Sequence, residues 1–342
     1  MMANELEAYL NECRALVVEQ IRAFVPADVT MRRVLYDLVL EYPLREAKGL
    51  RPALCIATCR ALGGHLEAVL PSAAVIELYH NAFLVHDDVE DRSEKRRDAE
   101  TLHRRHGVPI AVNVGDAMLA LALEPLLDNM RVLDMGRALR ILRVIACMAR
   151  ESAEGQALEL DWIRRGAWNL SDDDYLGMVH KKTAWYSFIT PARVGAIVAG
   201  ASPERVDALE AFAAKVGVAF QIQDDILNLE ADEARYGKEI GGDLWEGKHT
   251  LMLIHALRTA TGSALAAALP VVKRARHERT AEGVALLRTL IERHDSVGYA
   301  RSIARRYALD ASDLLASFAW IKPSAHRDFL QSLVDFVIQR DR

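Results

Sequence analysis

Cysteine is rare in this 342-residue chain: Cys13, Cys55, Cys59 and Cys147 are all there are, and none stands in a CxxC or zinc-ligand spacing. A disulfide-stapled scaffold, a dithiol redox motif and a structural zinc site are therefore excluded, and so few thiols suit a reducing compartment. Cys55 and Cys59, one helical turn apart in an apolar stretch, read as core packing. Glycine and proline are sparse too, 19 and 10 residues, and fall mostly between apolar-periodic stretches of helical length. Strand-like alternation bounded by turn pairs is hard to find. Basic residues are dispersed and the net charge is −5, so nothing in the charge pattern points to nucleic acid. No apolar run approaches the roughly 18 residues of a membrane span. The opening MMANELEAYLNECRALV is acidic and amphipathic, without the basic and apolar regions of a signal peptide. These absences predict a cytoplasmic protein that does not span a membrane.

Hydrophobic residues make up 51% and charged ones 27%, enough apolar material for a sizeable core. Ser171, followed by Asp172, Asp173 and Asp174, has the composition of a helix start: the serine caps and the acids suit the positive end of the dipole. That helix is expected to run to about Gly200. The longest irregular piece is expected at Glu230–Gly247, which holds four glycines. No linker or low-complexity block divides the chain. The reading is all-α, about a dozen helices, in one domain over residues 1–342.

One internal echo carries chemistry. Phe83-Leu-Val-His-Asp87-Asp88-Val-Glu-Asp91 and Phe220-Gln-Ile-Gln-Asp224-Asp225-Ile-Leu-Asn228 both read F-x-x-x-D-D-x-x-[D/N], 137 residues apart. Each closes an apolar helical run and each precedes a cationic stretch. Residues i and i+4 share a helix face, so Asp87 pairs with Asp91 and Asp224 with Asn228. Carboxylates without histidine or cysteine ligands suit a hard cation, magnesium first, which is usually held by one or two carboxylates plus substrate phosphates and water. Two such helix ends facing each other would form a jaw for a metal-bound polyphosphate. His86 beside the first cluster reads as a packing residue. Arg96 and Arg97 follow the first cluster, and a guanidinium fork matches phosphate oxygens. Lys238 and Lys248 follow the second; Lys48 and Arg51 lie upstream in AKGLRP. No GxxxxGK[ST] is present, so a P-loop is excluded.

These motifs resemble the trans-prenyltransferases, the head-to-tail isoprenyl diphosphate synthases, and most closely a short-chain geranylgeranyl diphosphate synthase. The likeness runs from AKGLRP to the terminal LVDFVIQRDR and includes DDxxD with RR at fixed spacing, Lys182-Thr183-Ala184, and GK…GxDxxEGKxT from Gly237 to Thr250. It implies an isoprenoid-synthase-type helical bundle around a deep central cavity, homodimerisation, and Mg2+, about three ions per active site with substrate bound.

Residue by residue, the resemblance implies that Asp87, Asp91 and Asp224 ligate magnesium. Asp88, Asp225 and Asn228 would help directly or through water. Arg96, Lys182, Thr183, Gln221, Lys238 and Lys248 would hold the allylic diphosphate or the outer shell of the metals. Lys48, Arg51, His80 and Arg97 would hold isopentenyl diphosphate. The catalytic set is then Asp87, Asp88, Asp91, Asp224, Asp225 and Lys182, with no side-chain base. Glu230–Gly247 would be a lid excluding water.

Three positions depart from the family pattern: Gly49 for the first arginine of GKRxRP, Asp98 for the glycine after RR, and Asn228 for the last aspartate of the second motif. Chain length is expected to depend on Tyr79, Ala82 and Phe83, which lie eight, five and four residues before Asp87. Bulky residues at the last two positions stop the family's product near fifteen carbons; here only Phe83 is bulky, so a twenty-carbon product is expected. The alternatives are a farnesyl or geranylfarnesyl diphosphate synthase, a terpene cyclase, or a non-catalytic subunit. Lys48, Arg51, His80 and Arg97 argue against a cyclase, and the retained aspartate clusters against a silent subunit.

Overall fold

The structure, a computed structural model, describes residues 3–230 and 241–339. Among them the only strands are Lys95–Arg96 and Ala99–Glu100, an antiparallel pair with Arg96 opposite Ala99. The rest is helix and connection, as the scarcity of glycine, proline and alternating segments requires. Two compact units are present. One comprises residues 1–149, 186–213 and 315–333; the other comprises residues 150–185, 214–314 and 334–342.

In the first unit the helix Leu66–Glu90 is central, packed by Ala3–Phe24, Leu50–Ala61, Val108–Leu121 and Leu123–Val132. It is buried over most of its length, from Val69 to Val85. By composition and length it and the stretch Val108–Val132 are long and apolar enough to cross a membrane, which reading uninterrupted apolar runs alone did not bring out. The first owes its apolarity to its place in the core. The helix ends in a Schellman arrangement: Ser93 N–H donates to Asp88 O at 3.0 Å and Arg92 N–H to Val89 O at 3.3 Å, with Arg92 at φ 53°. This ending leaves Asp91 as the last residue before the turn.

The second unit has its own core, built from Trp162, Tyr175, Ile222, Ile226, Leu253 and Leu287 among others. Ser171 starts a helix as expected: its Oγ accepts from Asp174 N at 3.2 Å and Asp174 Oδ2 accepts from Ser171 N at 2.8 Å. The segment does reach Val198, but not as one α-helix. Asp172–Val179 and Thr190–Val198 are α-helical, while His180–Ile189 is a wide π-helical stretch. Such widening re-aims side chains and recurs at functional sites; here it holds Lys182 and Thr183. Gly155 of Met135–Arg165 lies against Lys182, where any Cβ would overlap the Lys182 backbone.

Candidate active site

Asp87 and Asp91 are both half-buried, one turn apart on one helix face. Asp88 points elsewhere. It is 1% exposed, and its Oδ1 accepts from Arg96 Nη2 at 2.5 Å and Nε at 3.0 Å while its Oδ2 accepts from Tyr42 Oη at 2.7 Å. Burial alone would lower the Arg96 pKa, but the Asp88 charge and hydrogen bonds raise it. Asp88 thus reaches the site by aiming Arg96. Tyr42 also accepts from Leu102 N at 3.3 Å, and its carbonyl accepts from Arg97 Nη1 at 3.1 Å. Arg45 completes the frame, donating to Arg96 O at 2.9 Å and Glu100 O at 2.7 Å. The two arginines therefore sit on a braced hairpin.

A second cationic group lies in the same unit. Arg51 Nη2 donates to Ser187 Oγ at 2.8 Å, and Arg51 Nη1 lies 3.1 Å from His80 Nε2. A guanidinium cannot accept, so Nε2 is the acceptor and the proton of neutral His80 sits on Nδ1. Burial, followed by Arg51, Arg97 and Arg96, lowers the His80 pKa well below its usual value, so the ring is neutral. Its Nδ1–H is buried without a partner among the described residues. Tyr186 stacks on His80 at 5.7 Å, lies beneath Arg51 at 4.8 Å and meets Phe83 edge-on at 5.7 Å. Lys48 is exposed just before Leu50–Ala61.

The second motif repeats the first in placing a half-buried aspartate before a buried one. Asp224 is half-buried, and Asp225, 8% exposed, accepts from Tyr175 Oη at 2.7 Å and from Gln221 Nε2 at 2.7 Å. Thr183 Oγ1 donates to Gln221 Oε1 at 2.8 Å. Among the described residues no guanidinium pairs with Asp225 as Arg96 pairs with Asp88, and burial together with Asp243 pushes the Asp225 carboxyl well up. Lys182 Nζ pairs with the buried Glu159 at 2.5 Å, and Lys248 Nζ with Glu246 at 2.7 Å. Asn228 is buried; its Oδ1 accepts from Asp243 N at 3.1 Å and its backbone O from Gly241 N at 2.8 Å. At this position the asparagine ties residues 241–243 to the helix. Gly237, Lys238 and most of the expected lid, residues 231–240, lie outside the described residues.

The other two departures from the motif have local causes. Gly49 has φ 63°, and a Cβ there would lie 2.8 Å from Arg14 Cβ; the backbone excludes the arginine the motif would place there. Arg97 and Asp98, at φ 53° and 60°, form the two central residues of the hairpin turn, the left-handed pair that ordinarily favours glycine or asparagine. Sequence reading missed Tyr42, Tyr175, Glu159, Tyr186 and Ser187. The last two follow Lys182-Thr183 closely, which was a usable signal; the others carry no local sign.

The donor set fits magnesium. No three His, Cys, Asp or Glu converge among the described residues; what is offered is half-buried carboxylate oxygen, on Asp87 and Asp91 in one unit and on Asp224 in the other, each suited to a hard cation that also takes phosphate oxygens and water. His86 packs on Gly115 and lies 3.5 Å from Asp116, as the packing reading expected.

Comparison with known proteins agrees with this chemistry. The chain is 33% identical over 297 residues to a geranylgeranyl diphosphate synthase of Methanosarcina mazei, covering 86% of each. Its fold superposes with a TM-score of 0.88 on geranylgeranyl pyrophosphate synthetase from Pyrococcus horikoshii, at 32% identity and 99% coverage of both chains. A polyprenyl synthase of Caulobacter crescentus, solved with calcium and isoprenyl diphosphate, matches with a TM-score of 0.85 at 29% identity, over 100% of this chain and 98% of that one. The family model described as polyprenyl synthetase matches residues 33–287, a span that takes in every candidate from Lys48 to Lys248, and the chain belongs to that family.

Proposed function

We propose that the protein is a Mg2+-dependent short-chain trans-prenyltransferase, condensing isopentenyl diphosphate with an allylic diphosphate to give geranylgeranyl diphosphate. The observation that carries this reading is the braced pair of guanidinium groups, Arg51 and Arg97, with neutral His80 beside them, in the unit that also holds Asp87 and Asp91. A cyclase acting on a single diphosphate has no use for it.

Asp87 and Asp91 hold magnesium at the first motif and Asp224 at the second, with Asp225 and Asn228 supporting the second helix end. Magnesium supplies the charge neutralisation that lets diphosphate leave. Lys182, Thr183, Gln221 and Lys248 of the second unit, and separately Arg96 of the first, are the groups assigned to the allylic diphosphate, as Lys238 is in the family pattern. Because Lys182, Gln221 and Arg96 are fixed beforehand by Glu159, Asp225 and Asp88 respectively, little reorganisation of them accompanies the loss of the C–O bond. Lys48, Arg51, Arg97 and the Nδ1–H of His80 hold isopentenyl diphosphate. Its double bond attacks the allylic carbon, and the proton then lost goes to the departing diphosphate, so no side-chain base is required. Tyr79, Ala82 and Phe83 set the tail length.

The remaining parts of the reading rest on separate observations. Exposed apolar side chains along 108–139, among them Val108, Leu123, Leu127, Val132, Met135 and Leu139, support a second copy as partner. Each compact unit is assembled from several separated segments, which supports treating residues 1–342 as one functional domain. Four free thiols support a cytoplasmic location.

The test is incubation with Mg2+, isopentenyl diphosphate and, separately, dimethylallyl, geranyl and farnesyl diphosphates, with products identified by mass spectrometry. An all-trans twenty-carbon diphosphate is expected. Consumption of allylic diphosphate without isopentenyl addition would overturn the reading in favour of a cyclase.

A further inference from the structure

Glu77 has no part in the chemistry above, yet it is buried among the groups that perform it. It lies one turn before His80 on Leu66–Glu90 and is 8% exposed. Its Oε1 accepts from Asn81 Nδ2 at 3.3 Å, a long bond that Nδ2 shares with a shorter one, 2.7 Å, to Glu77 O. The charged groups that act on it come from three further elements: Arg51 of Leu50–Ala61, Arg97 of the hairpin turn and Arg14 of Ala3–Phe24. On its own helix the neighbouring titratable group, His80, is neutral. Among the described residues, Glu77 is thus the carboxylate set among three guanidinium groups, none of which closes an ion pair with it within 4 Å. The polar groups around it are incompletely matched as well. Arg51 Nε, His80 Nδ1 and Asn81 Oδ1 are all buried without a partner among the described residues.

In a carboxylate so placed the surrounding arginines favour the ionised form, while burial outweighs them and leaves the pKa raised above its ordinary value. Burial raises its pKa, and Arg51, Arg97, the Asn81 hydrogen bond and Arg14 work against the rise. Reciprocally, burial brings Arg97 down to about 10 and Glu77 holds it up. When a diphosphate draws the same arginines to itself, their effect on Glu77 is cancelled and a second anion arrives in the same low-dielectric region. Two anions at close quarters there cannot both stay ionised cheaply.

We infer that Glu77 is the charge-balancing carboxylate of this site and takes up one proton from solvent when isopentenyl diphosphate binds. The inference rests on the assignment of Arg51, His80 and Arg97 to that substrate. Atoms and charge balance: a solvent proton and the Glu77 carboxylate become a carboxyl group, and the O–H gives the orphaned Asn81 amide oxygen a donor within the same turn. By linkage, uptake of a proton makes binding weaken as pH rises, by up to about tenfold per pH unit in the window where Glu77 is ionised free and protonated bound.

The experiment is calorimetric titration of isopentenyl diphosphate into the full chain with Mg2+ at pH 8, in buffers of different ionisation enthalpy. There the ligand, whose secondary ionisation is near about 6, brings no proton of its own. Wild type is expected to take up close to one proton per site and Glu77→Gln almost none. Glu77→Gln is also expected to bind at least as tightly as wild type, by a margin that widens with pH; a merely structural glutamate would instead lose affinity at every pH. Equal proton uptake in the two proteins, or none in wild type, would overturn the inference. Should the variant fail to fold, the infrared difference spectrum of wild type on adding isopentenyl diphosphate decides: a new buried carboxyl band supports the inference and its absence refutes it. Failure of the underlying assignment looks different, because isopentenyl diphosphate would then not bind, or would bind unchanged to Arg51→Ala.

Discussion

Tyr42 donates its hydroxyl hydrogen to Asp88 Oδ2 at 2.7 Å across 46 residues of chain. Asp88 in turn fixes both Nε and Nη2 of Arg96. Tyr42→Phe leaves the charge pair but removes one bond to a buried carboxylate, an expected loss of about 2 kcal/mol. Asp88→Asn leaves the Arg96 charge buried without its counter-charge and is expected to cost about 3–5 kcal/mol. Urea unfolding measures both. The kinetic expectation is ordered the same way, with kcat falling more in Asp88→Asn than in Tyr42→Phe. A Tyr42→Phe protein as stable as wild type would show that the hydroxyl contributes nothing to holding the hairpin.

The hairpin and the turn before Leu50–Ala61 give opposite outcomes for restoring family residues. Asp98 sits at φ 60°, where glycine has no Cβ conflict, so Asp98→Gly is expected to stabilise by up to about 1 kcal/mol. Gly49 sits at φ 63° against Arg14, so Gly49→Arg, although it completes the motif, is expected to destabilise by about 2 kcal/mol or more. Paired thermal melts check both. A stabilised Gly49→Arg would mean that the segment relaxes out of the left-handed region.

The contrast marks what local pattern reveals. Helix class, the Ser171 start and the paired aspartates come from periods of a few residues, and those readings match the structure. The residues that orient the site do not. Tyr42 reaches Asp88 and Tyr175 reaches Asp225 across 46 and 50 residues, and a lone tyrosine before a proline or after a run of aspartates looks like any other. The π-helical stretch was hidden because widening changes which backbone groups pair and leaves no mark in the residue types of His180–Ile189. Gly49 and Asn228 looked like losses when compared with a motif. In the fold, one satisfies a left-handed turn and the other anchors residues 241–243.

The neutral state of His80 leads to a conservative replacement. A ring that accepts at Nε2 from Arg51 and donates from Nδ1 is imitated by a carboxamide, which also has one acceptor and a donor group. His80→Gln is therefore expected to keep KM for isopentenyl diphosphate within a few-fold, whereas His80→Ala raises it by tenfold or more. The sign of the stability effect follows from the lowered pKa. Below about 6.5 the unfolded chain binds a proton that buried His80 refuses, so its contribution to stability falls as pH drops through that value and is constant above it. His80→Gln should lose less stability than wild type between pH 7 and 5, measured by urea midpoints. A greater acid sensitivity in the variant would mean that His80 is charged in the folded state.

Product length gives the sharpest test of the aromatic wall. Ala82 is fully buried, so it offers a growing tail no surface; Phe83 is half-buried, and Tyr79 keeps a small exposed fraction. Tyr79 and Phe83 meet edge-on at 6.1 Å, and Tyr186 also meets Phe83 edge-on, at 5.7 Å. A tail running back along Leu66–Glu90 from Asp87 encounters Phe83 one turn up and Tyr79 two turns up. Tyr79→Ala is expected to shift the principal product from twenty to twenty-five carbons or beyond. Phe83→Ala alone should change it less, because Tyr79 remains as the stop. Ala82→Phe is the reverse case. It must push a ring into a filled core, at about 1–3 kcal/mol, and if it folds it should shorten the product toward fifteen carbons. Mass spectrometry of the diphosphates from the three variants separates the cases. An unchanged product in Tyr79→Ala would place the stop elsewhere, with Tyr186 the next residue to truncate.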